Sequence, residues 1–166
     1  PRERPADKRQ QADEAHALFK DEGSDFLAFV ALWDYLQEKR RHLSRRKFQR
    51  LCQSHFLSYN RVNEWLDIHQ QLQLQMHELG HKENEQPGDA GEIHRALLSG
   101  LLSHIGCRIS GKEKGYLGAR SSRFQLFPGS GLFATQPKWV MAAELVDDGQ
   151  IDQLRFLATV ILITRN

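Results

Sequence analysis

Cysteine is scarce in this sequence. Cys52 and Cys107 are the only two in 166 residues, so neither a disulfide framework nor a multi-thiol metal cage is available. Both read as free thiols in a reducing compartment. Long apolar runs are missing too. The longest, Phe156 to Ile163, is broken by Thr159 and falls far short of the ~20 residues a bilayer-spanning helix needs. No excess of one charge dominates: 23 Lys and Arg stand against 21 Asp and Glu, a net +2 that by itself licenses little about partners. An initiator Met and a charged-then-apolar leader are also absent. The chain opens Pro1-Arg2-Glu3-Arg4-Pro5 and is expected to be a piece of a longer protein.

What is present belongs to the soluble globular class, with 40% hydrophobic and 27% charged residues. Apolar residues Phe26, Leu27, Phe29, Val30, Trp33 and Leu36 recur at helical steps behind a Ser24 or Asp25 cap. A second helix is expected from Ser44, burying Phe48, Leu51 and Cys52. A third runs from about Ser58 to Leu79 with Val62, Trp65, Ile68, Leu72, Met76 and Leu79 on one stripe and Gly80 to end it. Residues 1–80 therefore read as a helical bundle. HKENEQPGD, within 81–90, reads as a linker. From 91 to 166 one helix, about Gly91 to His104, precedes short segments rich in aromatic and β-branched residues. These suit a small, mainly-β, partly open barrel such as the OB-fold, with a sandwich as the alternative. The expected class is α+β.

The chemistry-bearing motifs are few. Gly106 to Glu113 imitates a phosphate-binding loop but ends in Glu113 where a magnesium-binding hydroxyl belongs, and it follows a helix rather than a strand. His77 and His81 stand four apart, yet no carboxylate or thiol accompanies them at a ligand spacing, so no metal or other cofactor is expected. No serine lies in a nucleophile elbow. Catalysis by this chain is not expected.

Binding features are richer. Between Glu38 and Arg50 seven cations face one acid, a local charge of +6 suited to phosphates. Tyr116, Arg120, Arg123, Lys138 and Trp139 interleave cations with rings, the combination that single-stranded RNA uses for backbone attraction and base stacking. Phe127-Pro128-Gly129-Ser130-Gly131-Leu132-Phe133 reads as a turn whose amides and Ser130 hydroxyl could meet phosphate oxygens, against the plainer reading of a tight turn between two core rings.

Taken in order, SDFLAFVALWDYL (24–36), LCQSHFLSYNRVNEWLDIHQQL (51–72), IHRALLSGLLSHIG (93–106) and RFQLFPGSGLF followed by PKWVMAAELV resemble the helicase-associated region of DEAH-box RNA helicases of the HrpA type. The resemblance covers most of Ser24 to Val146 and departs after it. It implies a ratchet-like helical unit followed by an OB-fold that together line an RNA channel. Arg123 to Phe133 and Lys138 would then lie on the RNA side, with Ser24, Asp25 and Arg61 as ratchet candidates. It also implies that ATP and magnesium belong to absent ATPase lobes. The expected partners are single-stranded RNA, those lobes and ribosome-associated factors, for a cytoplasmic monomer. The alternative is a protein-interaction module docking on the helicase core.

Overall fold

Ser24 starts the first long helix as a cap. Its side-chain oxygen accepts a hydrogen bond from the Leu27 amide at 3.2 Å, satisfying one of the donors a helix start leaves open. The computed structural model describes residues 1–110 and 115–143, together with the strand Val160–Leu162. Lys112, Glu113, Glu144 to Val146 and the rest of the tail fall outside the described residues. The helices are α1 (Arg9–Ala17), α2 (Asp25–His42), α3 (Arg45–Ser54), α4 (Tyr59–Glu78) and α5 (Ala90–Gly100). The strands are β1 (Ile105–Arg108), β2 (Tyr116–Leu117), β3 (Arg123–Phe124), β4 (Trp139–Ala142) and β5 (Val160–Leu162). Backbone proximity divides the chain into two units, the first of residues 1–19 and 32–88 and the second of 20–31 and 89–166.

The first unit is helical. Leu32 and Leu36 of α2, Phe48 and Cys52 of α3 and Val62 and Leu66 of α4 recur at four-residue steps. They close one core with Phe19 and Leu57. Trp33 and Trp65 meet edge to face at its margin, 5.0 Å apart. Burial pushes the Cys52 thiol up to about 11, which makes it an inert core group. The end of α4 is a Schellman motif: Gly80, at φ +83°, donates to His77 O, and His81 donates to Met76 O. Only the first half of the apolar stripe on α4 is buried. Ile68, Leu72, Met76 and Leu79 are exposed, Leu79 by 73%. At 1.5 Å per residue α4 is about 30 Å long and α3 about 15 Å, so the distal stripe outruns the helix it packs on.

In the second unit Asp89 caps α5, accepting from the Gly91 amide at 2.9 Å. The helix stops at Gly100, a poor helix former, and Leu102–His104 is a 3-10 turn leading into β1. The helical reading to His104 was therefore one turn too long. The sheet is antiparallel throughout, in the order β3-β2-β1-β4-β5. β5 pairs with β4 at one edge of this order. Tyr116, Phe124, Leu126, Leu132, Val140 and Ala142 form the core. The architecture is α+β, as the sequence led us to expect. Among the described residues no helix is long and apolar enough to cross a membrane.

Candidate nucleic-acid interface

Register places four residues side by side across the sheet. Arg123 pairs with Leu117, Leu117 with Cys107 and Cys107 with Trp139. Directly paired residues project to the same face. With strands ~4.8 Å apart, the row runs about 14 Å from the backbone of Arg123 to that of Trp139. It faces solvent: Leu117 is 46% and Trp139 43% exposed, Arg123 is exposed and Cys107 half-buried. Lys138, exposed, immediately precedes Trp139, and Arg120, also exposed, sits in the turn between β2 and β3. Arg120 and Ser121 hold φ of 55° and 60°, a left-handed backbone that costs non-glycine residues roughly 1–2 kcal/mol each.

The opposite face carries Tyr116, which the sequence reading put forward as a stacking ring. It is fully buried, lies stacked on Phe124 with centroids 5.5 Å apart, and offers no face to a base. Its hydroxyl donates to Pro137 O at 2.7 Å. Burial pushes that hydroxyl up to about 12, so it stays a donor across the physiological range. The Arg108 guanidinium donates to Gln136 O at 2.6 Å, and the Arg108 amide to Lys138 O at 2.8 Å. Tyr116 and Arg108 thus fix the segment that delivers Lys138 and Trp139 to the exposed face.

The loop Phe127 to Phe133 is also turned inward. Ser130 is buried and its hydroxyl accepts from the Leu132 amide at 3.2 Å. The Ser130 amide donates to Phe127 O, the Phe133 amide to Ser130 O, and the Gly131 amide to Asp25 Oδ1 at 2.9 Å. The amides read as phosphate receptors are committed within the unit. Gly131 lies so close to the backbone of residue 21 that a Cβ would stand 1.9 Å from Asp21 O, closer than any side chain tolerates. The loop is a socket for residues 20–31. Ser24 is buried in the same arrangement. With its oxygen accepting from Leu27, its hydroxyl proton remains for His94 Nε2 at 2.9 Å. Desolvation lowers the His94 pKa against the opposing pull of Asp21 and Asp89, which favours the neutral, accepting ring.

Of the seven residues singled out, Ser24, Tyr116 and Ser130 are therefore interior. Arg120, Arg123 and Lys138 are exposed on the second unit, and Arg61 is exposed on α4 in the first. Leu117 and Cys107 were missed, because their place in the row depends on a pairing register that no local pattern carries. The phosphate-loop look-alike is a strand at its start: Gly106 is buried in β1 opposite Val140, and Ile109 donates to Gly115 O at the mouth of a hairpin. His77 and His81 line a shallow cleft with His69, Leu72 and Met76. Among the described residues no group of three or more His, Cys, Asp and Glu stands together as a metal cage would require.

Residues 93–153, which carry α5 from Ile93 on and strands β1 to β4, match the family described as oligonucleotide/oligosaccharide-binding (OB)-fold. Most of the chain has relatives among RNA helicases. It is 54% identical over 151 residues to the ATP-dependent RNA helicase HrpA of Escherichia coli (strain K12), and 51% identical over 151 residues to the ATP-dependent RNA helicase HrpA homolog of Haemophilus influenzae. Each match takes in 91% of this chain and 12% of the relative. The chain thus matches a fragment of an HrpA-type helicase and spans about an eighth of such a protein's length.

Proposed function

We infer that this chain is a non-catalytic RNA-binding module of an HrpA-type ATP-dependent RNA helicase, and that its sheet face meets single-stranded RNA. The observation that carries the reading is the row Arg123, Leu117, Cys107, Trp139. A cation stands at one end and a half-exposed indole at the other, flanked by Lys138 and Arg120. Stacking on a ring and attraction to the backbone are what unpaired RNA offers a protein. ATP, magnesium and hydrolysis belong in this reading to parts of the parent outside this chain. Those parts, in a cytoplasmic monomer, are its second partner.

Anisotropy titrations with an oligouridine of about ten nucleotides test it. Trp139→Ala is expected to weaken binding roughly tenfold, the worth of one stacked base. Arg123→Ala and Lys138→Ala are each expected to flatten the log–log salt dependence by about 0.7. Binding that is indifferent to all three substitutions would sink the reading.

The exposed distal stripe of α4 favours a second role, docking on the remainder of the parent. Leu72→Glu with Met76→Glu in the full-length helicase would then uncouple ATP hydrolysis from RNA while leaving RNA binding by this chain intact.

A further inference from the structure

The first unit carries a cationic surface that the sheet-face reading does not use. The last turn of α2 ends Lys39, Arg40, Arg41, His42, and after Leu43 and Ser44 the first turn of α3 is Arg45, Arg46, Lys47, with Arg50 one turn further on. Only three residue steps separate His42 from Arg45, so the two turns lie within ~11 Å of each other. Lys39 is half-buried, its ammonium 5.3 Å from the centre of the Tyr35 ring. The other six, Arg40, Arg41, Arg45, Arg46, Lys47 and Arg50, are exposed. Among the described residues none of the six has a carboxylate partner within ion-pair distance.

Local stability does not account for this arrangement. Cations at the end of α2 complement its macrodipole, but three cations in the first turn of α3, with no acid there, oppose the dipole of that helix. α3 gives the core Phe48 and Cys52, with Leu51 packed at its margin. Its outer face is thus free to be neutral or mixed in charge, and instead is charged with one sign against its own helix. A sequence that breaks a local rule on its surface without a packing gain points to a use for that surface.

We propose that the α2–α3 corner is a second nucleic-acid site, one that binds the phosphate backbone and reads no bases. The class of ligand follows from what the corner lacks. Phe48 is buried, Tyr35 lies beneath Lys39, and no exposed Phe, Tyr or Trp stands among the six cations; the one exposed ring there is the small imidazole of His42. A surface whose one exposed ring is a small imidazole gains little from unpaired bases. Its affinity comes from neutralised phosphates, which a duplex presents as densely as a single strand does. Arg46 and Arg50, four apart on one helix face, stand ~5–6 Å apart at their Cβ atoms, a spacing at which two side chains reach neighbouring phosphates of one strand. The corner therefore holds paired RNA and the sheet face unpaired RNA. The proposal stands apart from the sheet-face reading, since it uses none of its residues.

The test uses the whole chain and a blunt RNA duplex. Arg45→Gln, Arg46→Gln, Lys47→Gln and Arg50→Gln together are expected to weaken duplex binding at least tenfold at ~0.1 M salt and to flatten its log–log salt dependence by about 3.6. Replacing the three arginines by lysine instead should keep affinity within about threefold, because the contacts are to charge. Trp139→Ala should leave duplex binding unchanged while weakening oligouridine, so failure of one site is distinguishable from failure of the other. The substituted residues are all exposed, and a circular-dichroism melt identical to the parent chain's confirms that charge and not folding was altered. Duplex affinity unaffected by the four glutamines overturns the proposal. So does polyglutamate competing as well as the duplex at equal charge, which would make the corner a site for acidic protein.

Discussion

On the sheet face, Arg123 and Trp139 stand at two ends of a cross-strand row with Leu117 and Cys107 between them. At the α2–α3 corner, six exposed cations stand with no Phe, Tyr or Trp exposed among them. The two surfaces also differ in how they are held. The sheet unit is held in part by specific, distant ties: Tyr116 to Pro137, Arg108 to Gln136, Asp25 to Gly131. The corner needs only two helices and their turn. A surface that positions a ring against a base must be built to a fraction of an ångström, whereas one that attracts phosphates needs charge density and little else. The sheet face should therefore be fragile to remote substitutions and the corner robust.

The strongest way to break that contrast is Gly131→Ala. With backbone 1.9 Å from the added Cβ and no side chain able to yield, about 3 kcal/mol should be lost from the second unit in urea unfolding. Oligouridine affinity should fall more than tenfold. Duplex affinity at the corner should hold within threefold, and loss of both would mean that α2, whose residues are shared between the units, couples them. Next in size is Tyr116→Phe, which leaves the Pro137 carbonyl without its donor. It should cost about 1–2 kcal/mol in stability and slacken the segment carrying Lys138. Weaker oligouridine binding beside unchanged duplex binding would sharpen the contrast. Arg120→Gly tests strain against charge: relief of the left-handed backbone, offset by glycine's entropy, should stabilise by roughly 0.5 kcal/mol net, while oligouridine affinity drops a few-fold.

The smallest expected effect is on acid stability. The His94 pKa is lowered in the fold, chiefly by desolvation, so the unfolded chain binds the proton more readily. Its contribution is complete above pH ~6.5 and is lost as pH falls through the lower folded value. His16 behaves alike in the first unit, desolvation again leading. Unfolding titrations should therefore steepen with acid, and His94→Gln should remove part of the slope. A slope untouched by His94→Gln would remove His94 from the tie that seats Ser24.

The helical unit was largely legible because its signals are local. Ser58 and Gly80 bracket α4 within two residues of its observed bounds, since caps and left-handed stops act over four or five residues. The same periodicity misled at Ile68, Leu72, Met76 and Leu79. It marks which face is apolar and carries no information on whether this chain supplies a partner. On the sheet the limit was different. Strands of two residues such as Tyr116–Leu117 are too short for alternation to say which member points inward, so Tyr116 passed for a stacking ring and Leu117 for nothing. Ser24 and Ser130 looked available because the residues that bury them lie far away in sequence.

The Asp25 to Gly131 hydrogen bond spans 106 positions of chain. A ribosome adding roughly 5–20 residues per second makes Asp25 about 5–20 s before it makes its partner. During that interval the start of α2 is exposed with its socket not yet synthesised, while everything α3 and α4 need has already emerged. The order of translation therefore favours completing the helical core first and seating residues 20–31 last, when the Phe127 to Phe133 loop arrives to receive them.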